Sequence, residues 1–320
     1  MNNTTTKKKF ALIGSAGFIA PRHMQAIKET GNELVCALDR FDVMGTIDSF
    51  SPNADFFTEP ERFDRHLDKL RREGKNKIDY VSICSPNYLH DAHIRLALRN
   101  QAHAICEKPL VINPWNLDAL QEIEKESGKS IYTILQLRLH PAIVALKKQV
   151  EQSPPGKIVD IDLTYITSRG RWYFISWKGN LQKSGGLVTN IGIHFFDMLM
   201  WVFGEVRQNI VHHSAHDNAA GFLRLERANV RWFLSVDAED LPDSSKQAGK
   251  RTYRSITIEG QEIGFSEGFT GLHTRAYEEI LNGKGLGIED ARASINAAYN
   301  IRHTIPIGKS GDYHPMLAKI

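Results

Sequence analysis

A chain of 320 residues is long enough for two domains with a substantial core, and its composition is that of an ordinary globular protein. Forty basic residues against thirty-seven acidic ones leave a formal charge of +3, which gives no ground for a nucleic-acid partner. The three cysteines, Cys36, Cys84 and Cys106, lie far apart in apolar runs. Neither a disulfide framework nor a zinc-ligand spacing can be read from them, and a reducing compartment fits best.

Residues Met1 to Lys9 (MNNTTTKKK) are polar and basic, and no hydrophobic signal region follows them. The longest apolar runs read as too short and too interrupted to span a bilayer. The expectation is a cytoplasmic protein with a short frayed start and no membrane partner. Phe10 to Ile13 is a short apolar strand that runs into the turn GSAGFIA, in which Gly14, Ala16, Gly17, Phe18 and Ile19 precede a helix through Arg22, His23 and Ile27. Glycines there let the backbone approach a pyrophosphate, whose charge then sits at the positive end of the helix. The spacing is G-x-x-G-x-x-A, a weak signal on its own. The next strand, Glu33 to Leu38, strengthens it, because Asp39 stands at its end, roughly twenty residues beyond the glycines, where a ribose-binding carboxylate belongs. A carboxylate there repels a 2′-phosphate, so NAD is favoured over NADP, with Arg40 softening the preference.

Phe63 to Arg72 reads as an amphipathic surface helix. Ile78 to Cys84 is a buried strand ending in Ser85-Pro86-Asn87, with His90 before a helix from Asp91 to Arg99. Ala102 to Cys106 is another strand, ending in Glu107-Lys108-Pro109. After Asn113-Pro114 opens a helix to about Ser127, Ser130 to Leu137 is the last strand of this domain. Alternating strands and helices predict a parallel doubly wound sheet, whose ligands bind beyond the carboxyl ends of the strands. Asp39, Ser85, Asn87, His90, Glu107 and Lys108 all fall at that edge.

From Arg138 the pattern changes. After a helix to about Val150 come strand-like runs Lys157–Thr167, Asn209–His213, Gly221–Leu225, Val230–Ala238, Tyr253–Glu259 and Gln261–Phe265, which predict an open, largely antiparallel sheet. A helix from Thr189 to Phe203 is inserted after the first strand, capped by Thr189 or Asn190 and stopped by Gly204. Asn190, His194, Asp197 and Trp201 share one face of it at helical spacing. His194 and Asp197 are a candidate proton-transfer pair, the carboxylate fixing the imidazole's tautomer. Between strand and helix, Ser168 to Gly186 reads as a loop crowded with Arg169, Arg171, Lys178, Lys183, Trp172, Tyr173, Phe174 and Trp177. Cations suit a diphosphate and aromatic faces suit a base or sugar ring. Helices follow at Thr270–Leu281, which holds His273 and Arg275, and at Ile288–His303. The expected division is a dinucleotide-binding domain over residues 1–137 and an α+β domain over 138–320.

With Gly14, Gly17 and Ala20, then Glu107-Lys108-Pro109, then Gly192-x-His194-x-x-Asp197 in order along the whole chain, the sequence resembles the Gfo/Idh/MocA oxidoreductases. The glycine turn departs from the commoner family spacing by one residue. The resemblance implies a Rossmann domain, a C-terminal α/β domain with an open sheet, and a homodimer or homotetramer assembled through that sheet. It also implies an active-site lysine at Lys108 and a catalytic histidine at His194. Within the family, IGSAGFIAPRH, SRGRWYFISWKG and SGGLVTNIGIHFFD look like the UDP-N-acetylglucosaminuronate 3-dehydrogenases of bacterial O-antigen pathways. That likeness implies NAD as cofactor, oxidation at C3 of a UDP-linked N-acetylated uronate, and 2-oxoglutarate as an acceptor that recycles NADH.

The expected chemistry is hydride transfer from a sugar carbinol. His194 is the base, oriented by Asp197 or sharing a proton with it, and Lys108 stabilises the developing alkoxide or is itself the base. Asn190, Arg169, Trp177 and Lys178 contact the substrate. An NAD-dependent glycosidase of the same fold and a non-catalytic dinucleotide sensor are the rival readings; the joint presence of Lys108, His194 and Asp197 weighs against the sensor.

Overall fold

Lys9–Ile13 (β1) opens a run of near-continuous apolar strands separated by helices, the pattern of a parallel sheet covered on both faces. The computed structural model describes residues 7–74, 76–263 and 268–320. Two compact units emerge, Met1–Gln136 with Gly271–Ala291, and Leu137–Thr270 with Arg292–Ile320.

In the first unit α1 (Ala20–Glu29), β2 (Glu33–Leu38), α2 (Met44–Phe50), β3 (Asp55–Phe57), α3 (Pro60–Glu73), β4 (Tyr80–Ile83), α4 (His90–Arg99), β5 (His103–Cys106), α5 (Trp115–Ser127) and β6 (Ile131–Thr133) follow β1. The six strands pair in parallel in the order β3-β2-β1-β4-β5-β6. Strand order reverses between β1 and β4, so the crevice beyond their carboxyl ends is where a doubly wound sheet takes its ligand. Two details depart from expectation. α2 and β3 were not foreseen, because Gly, Pro and Ser interrupt their apolar pattern. The strand expected over Ser130–Leu137 stops at Thr133, and Gln136–Leu139 is a 3₁₀ turn.

The second unit contains α6 (Pro141–Gln152), β7 (Val159–Thr167), α7 (Arg171–Ile175), α8 (Leu181–Ser184), α9 (Ile193–Phe203), β8 (Val206–Ser214), β9 (Asn218–Leu225), β10 (Ala228–Ser235), α10 (Asp243–Gln247), β11 (Thr252–Ile258) and β12 (Gln261–Glu262). The sheet runs β12-β11-β7-β10-β9-β8, antiparallel throughout except for the parallel pair β7–β10. Helix α9 lies on this sheet. Phe196 meets Trp232 edge-on at 5.4 Å and Phe195 meets Tyr165 at 4.7 Å. A side chain at Gly192 would collide with Leu234 and Phe196. Gly264 and Phe265, expected to end the last strand, lie outside the described residues, as does most of the basic N-terminal stretch.

The expected loop from Ser168 to Gly186 is instead a string of short helical turns, α7, the 3₁₀ turn Trp177–Gly179 and α8. Against the expectation of no bilayer-length run, Leu181–Phe203 reaches the length and hydropathy of a membrane span, but 78% of its apolar window is buried in this unit. The chain then leaves the second unit. Helix α11 (Leu272–Leu281) belongs to the first, where the sequence reading had put all of 138–320 in the second, and α12 (Ile288–His303) follows.

Candidate active site

The turn after β1 is fixed by strand packing before any ligand enters. Gly14 has φ +87°, and a Cβ there would stand 2.6 Å from the backbone of Cys84 and Ser85 at the end of β4. Gly17 has the same neighbour, with Cys84 O 3.2 Å from its would-be Cβ. The turn is therefore as close to β4 as backbone allows. Asp39 ties it to β2, because Oδ2 accepts the Ala16 N–H at 2.8 Å and Oδ1 accepts that of Phe41 at 3.0 Å. Phe18 is 90% exposed at the entrance of α1, whose N-terminus carries the positive end of a helix dipole. The Ser15 hydroxyl is buried there and makes no hydrogen bond to the described residues. A backbone cradle and a helix N-terminus fit a dinucleotide diphosphate, and the Asp39 carboxylate fits ribose hydroxyls.

Two strand-end segments form the other wall within this unit, Ser85-Pro86-Asn87 and Glu107-Lys108-Pro109. His90, buried at the start of α4, pins them together: Nδ1 lies 2.7 Å from Pro109 O and Nε2 lies 2.9 Å from Ser85 O. Ser85 Oγ lies 2.8 Å from His93 Nδ1, and burial holds the His93 pKa down at about 4. Below them is a buried polar cluster. Glu107 Oε1 accepts from His23 Nε2 and from His273 Nε2, both at 3.0 Å, and Oε2 accepts the Lys108 N–H at 3.2 Å. Desolvation raises the Glu107 pKa, yet the two imidazoles outweigh it and hold the carboxyl well below its ordinary range. Burial pushes the His23 pKa down, and its Nδ1 pairs with the Tyr277 hydroxyl at 2.8 Å. Both His90 ring nitrogens thus face backbone carbonyls, and the Glu107 carboxylate faces His23, His273 and the Lys108 amide.

In the second unit the continuous α-helix expected from Thr189 is a π-turn, Val188–Gly192, followed by α9. The wider turn moves Asn190 out of strict 3.6-residue register with His194, and neither Thr189 nor Asn190 caps a helix end. Such π-turns are frequent at functional sites. Asn190 Nδ2 donates to the Tyr173 hydroxyl at 3.3 Å, and Arg302 reaches Thr189 Oγ1 at 3.5 Å. Trp201, read as the fourth member of the stripe, lies 4.9 Å beneath the Lys147 ammonium. Asp197 is 2% exposed and takes a two-pronged ion pair from Arg138, Nε to Oδ2 at 2.9 Å and a terminal nitrogen to Oδ1 at 2.7 Å. A two-pronged guanidinium grip is the strong and geometrically specific form of such a pair.

The short helical turns carry the aromatic and cationic residues. The Lys178 ammonium lies 5.2 Å from the Trp172 ring and 5.6 Å from the Trp177 ring. Burial, then the nearby Arg169, lowers its pKa. Arg169 itself is exposed at the end of β7. Phe174, Ser176, Trp177, Asn180 and Lys183 line a hollow of about 280 Å³. A larger depression of about 550 Å³, lined by Ile158, Arg207, Arg224 and Glu226, lies on β8 and β9, with an exposed Arg207–Glu226 ion pair in its wall. Sequence reasoning passed over Arg138, Arg302 and the His23–Glu107–His273 cluster. Each depends on pairing across a long stretch of chain, 59 residues for Arg138–Asp197 and 166 for His273–Glu107, and short-range spacing carries no signal of it.

Comparison with known proteins decides the family. Residues 8–134 match the NAD-binding Rossmann fold of the Gfo/Idh/MocA oxidoreductase family, and residues 147–240 match its C-terminal alpha/beta domain. The chain belongs to the Gfo/Idh/MocA family. Its first unit is therefore that family's NAD-binding fold, in agreement with the glycine turn and Asp39. The WlbA (WbpB) dehydrogenase from Thermus thermophilus, solved with NAD and alpha-ketoglutarate, is 49% identical with a TM-score of 0.92, covering 96% of this chain and 99% of that one. A second structure of that dehydrogenase, with NAD and UDP-GlcNAcA, gives 48% identity and a TM-score of 0.91 over the same shares of the two chains. Among curated Gfo/Idh/MocA-like relatives, D-glucoside 3-dehydrogenase of Escherichia coli is 31% identical over 132 residues, 40% of this chain and 36% of its own. Glucose-6-phosphate 3-dehydrogenase of Bacillus subtilis is 24% identical over 202 residues, 61% of this chain and 54% of its own. The chain thus spans only about a third to a half of the length of these curated relatives.

Proposed function

We propose that this protein is a dehydrogenase that oxidises the C3 hydroxyl of a UDP-linked N-acetylated glucuronate, with NAD+ when bound supplying the hydride acceptor. The observation that carries the reading is the 49% identity, across 96% of the chain, to a dehydrogenase solved with NAD. That dehydrogenase was also solved with UDP-GlcNAcA. The chemistry asks for a group to take the hydroxyl proton as the C–H hydride departs, and for charge to stabilise the oxygen meanwhile. His194 fills the first role and Lys108 the second, with the reverse assignment open to the lysine if its ammonium is deprotonated. Asp197, locked by Arg138, fixes the helix position and favours the imidazolium that forms on His194. Asn190, held by Tyr173, positions the sugar. Arg169, Trp177 and Lys178 receive the anionic and aromatic parts of the sugar nucleotide, and a guanidinium or ammonium there complements diphosphate or carboxylate.

We further propose that 2-oxoglutarate re-oxidises the reduced dinucleotide, with a homodimer or homotetramer as the working assembly. A reducing compartment suits the three free, buried thiols. The test is incubation of the purified protein with NAD+ and UDP-N-acetylglucosaminuronate. Net NADH with a substrate two hydrogens lighter supports the dehydrogenase. Released UDP without net NADH would indicate a glycosidase, and tight NAD binding without turnover on a panel of sugar nucleotides a sensor.

A further inference from the structure

We propose that the buried His23–Glu107–His273 cluster is a positioning device that sets the Lys108 segment through the Glu107 carboxylate. This inference rests on the reading of Lys108 as an active-site group. Glu107 and both histidines are almost fully buried, and every one of the contacts within the cluster lies in the first unit. A charged carboxylate in such a place is costly unless its lone pairs are filled. Here they are filled by donors from three separate parts of the chain: His23 on α1, His273 on α11, and the amide of Lys108 itself.

Donors and acceptors balance along the whole chain of contacts. Ser82 Oγ lies 2.6 Å from the Tyr277 hydroxyl, which lies 2.8 Å from His23 Nδ1. With the serine donating to the tyrosine and the tyrosine to Nδ1, His23 is the Nε2–H tautomer and donates to Glu107 while neutral. His273 donates its own Nε2–H to the same oxygen, and Oε2 is left to receive the Lys108 amide. The three side chains stand close enough together to suggest a metal. Hydrogen bonds account for each Glu107 contact without one, and His23 Nε2 carries the proton that a metal would have to displace. The result is one buried negative charge, held by two imidazole N–H donors, at the root of the segment that bears Lys108. Fixing that backbone fixes where the lysine side chain starts, and sub-ångström placement of such a group governs rate more than binding.

The distinguishing experiment compares His273→Gln with His273→Leu and adds Glu107→Gln, all in the full-length, NAD-loaded protein with the UDP-uronate as substrate. Glutamine at position 273 keeps an N–H for Glu107, whereas leucine does not. The expected order of kcat is wild type, then His273→Gln within about threefold, then His273→Leu and Glu107→Gln lower by ~10–100-fold, the scale of loss when a reacting group is misplaced by about 1 Å. KM and NAD affinity should stay within about threefold of wild type, because the glycine turn and Asp39 are untouched. Equal kcat in His273→Leu and wild type, with both folded and NAD-loaded, would overturn the proposal. So would one equivalent of tightly bound zinc in the purified wild type, lost with activity on chelation. No turnover in the wild type itself would instead defeat the functional reading on which the proposal stands.

Discussion

Removing the Arg138 guanidinium tests how the second unit holds its acidic group. Asp197 has a side-chain exposure of 2% and Arg138 one of 11%, with nitrogen–oxygen distances of 2.7 and 2.9 Å in a two-pronged pair. Arg138→Met leaves the arginine's volume largely filled but takes the guanidinium away from a carboxylate whose side chain is 2% exposed. Breaking a buried pair from one side costs about 3–5 kcal/mol, a large part of the ~5–15 kcal/mol by which a domain is stable. Arg138→Met with Asp197→Leu removes both charges and should recover most of that loss. Urea unfolding followed by tryptophan fluorescence reads the second unit, which contains Trp172, Trp177, Trp201 and Trp232. The deficit of the single variant should narrow as pH falls, because protonation relieves the stranded carboxylate. If Arg138→Met lies within about 1 kcal/mol of wild type at neutral pH, the pair is not the anchor described here.

His194→Asn should lower kcat by ~10²–10⁴-fold while leaving NAD affinity near wild type, as titration with the dinucleotide would show; unchanged turnover removes His194 from the mechanism. Gly14→Ala must force a Cβ to 2.6 Å from the backbone of Cys84 and Ser85 at φ +87°, so calorimetry should find NAD binding lost or weakened by more than tenfold. His93 and His314, each held at about 4 by burial against an ordinary 6.5, bind fewer protons folded than unfolded. The stability these two groups contribute is therefore full above about pH 6.5 and is lost as pH drops towards about 4, ~3 kcal/mol for each histidine; a flat unfolding midpoint between pH 7 and 5 would contradict this.

The first unit was largely legible because its determinants are local. A buried strand is a continuous apolar run, and Gly14, Gly17 and Asp39 sit within one βαβ segment, so short-range reading reached them. The second sheet was legible as a row of strands, and its last hairpin turns at Glu259-Gly260, where both residues have positive φ, 49° and 76°. Period alone misled at the inserted helix. It cannot see a π-turn at Val188–Gly192, which adds a residue to one turn while leaving the sequence pattern helical. Aromatic density misled between Ser168 and Gly186, where turns short enough to be capped by Ser176 and Asn180 side chains look like loop. The ion pair Arg138–Asp197 and the His23–Glu107–His273 cluster were out of reach because only tertiary folding brings their members together. His273 was hardest of all, since its helix lies past the second sheet in sequence yet belongs to the first unit.

The most direct test of the central claim is a single incubation of the purified protein with NAD+ and UDP-N-acetylglucosaminuronate, followed at the NADH absorbance band and by mass spectrometry of the sugar nucleotide. The account predicts NADH formed in step with a 3-keto product, and loss of the NADH signal on adding 2-oxoglutarate. An unaltered sugar nucleotide in the presence of bound NAD+, or oxidation at a carbon other than C3, would contradict it.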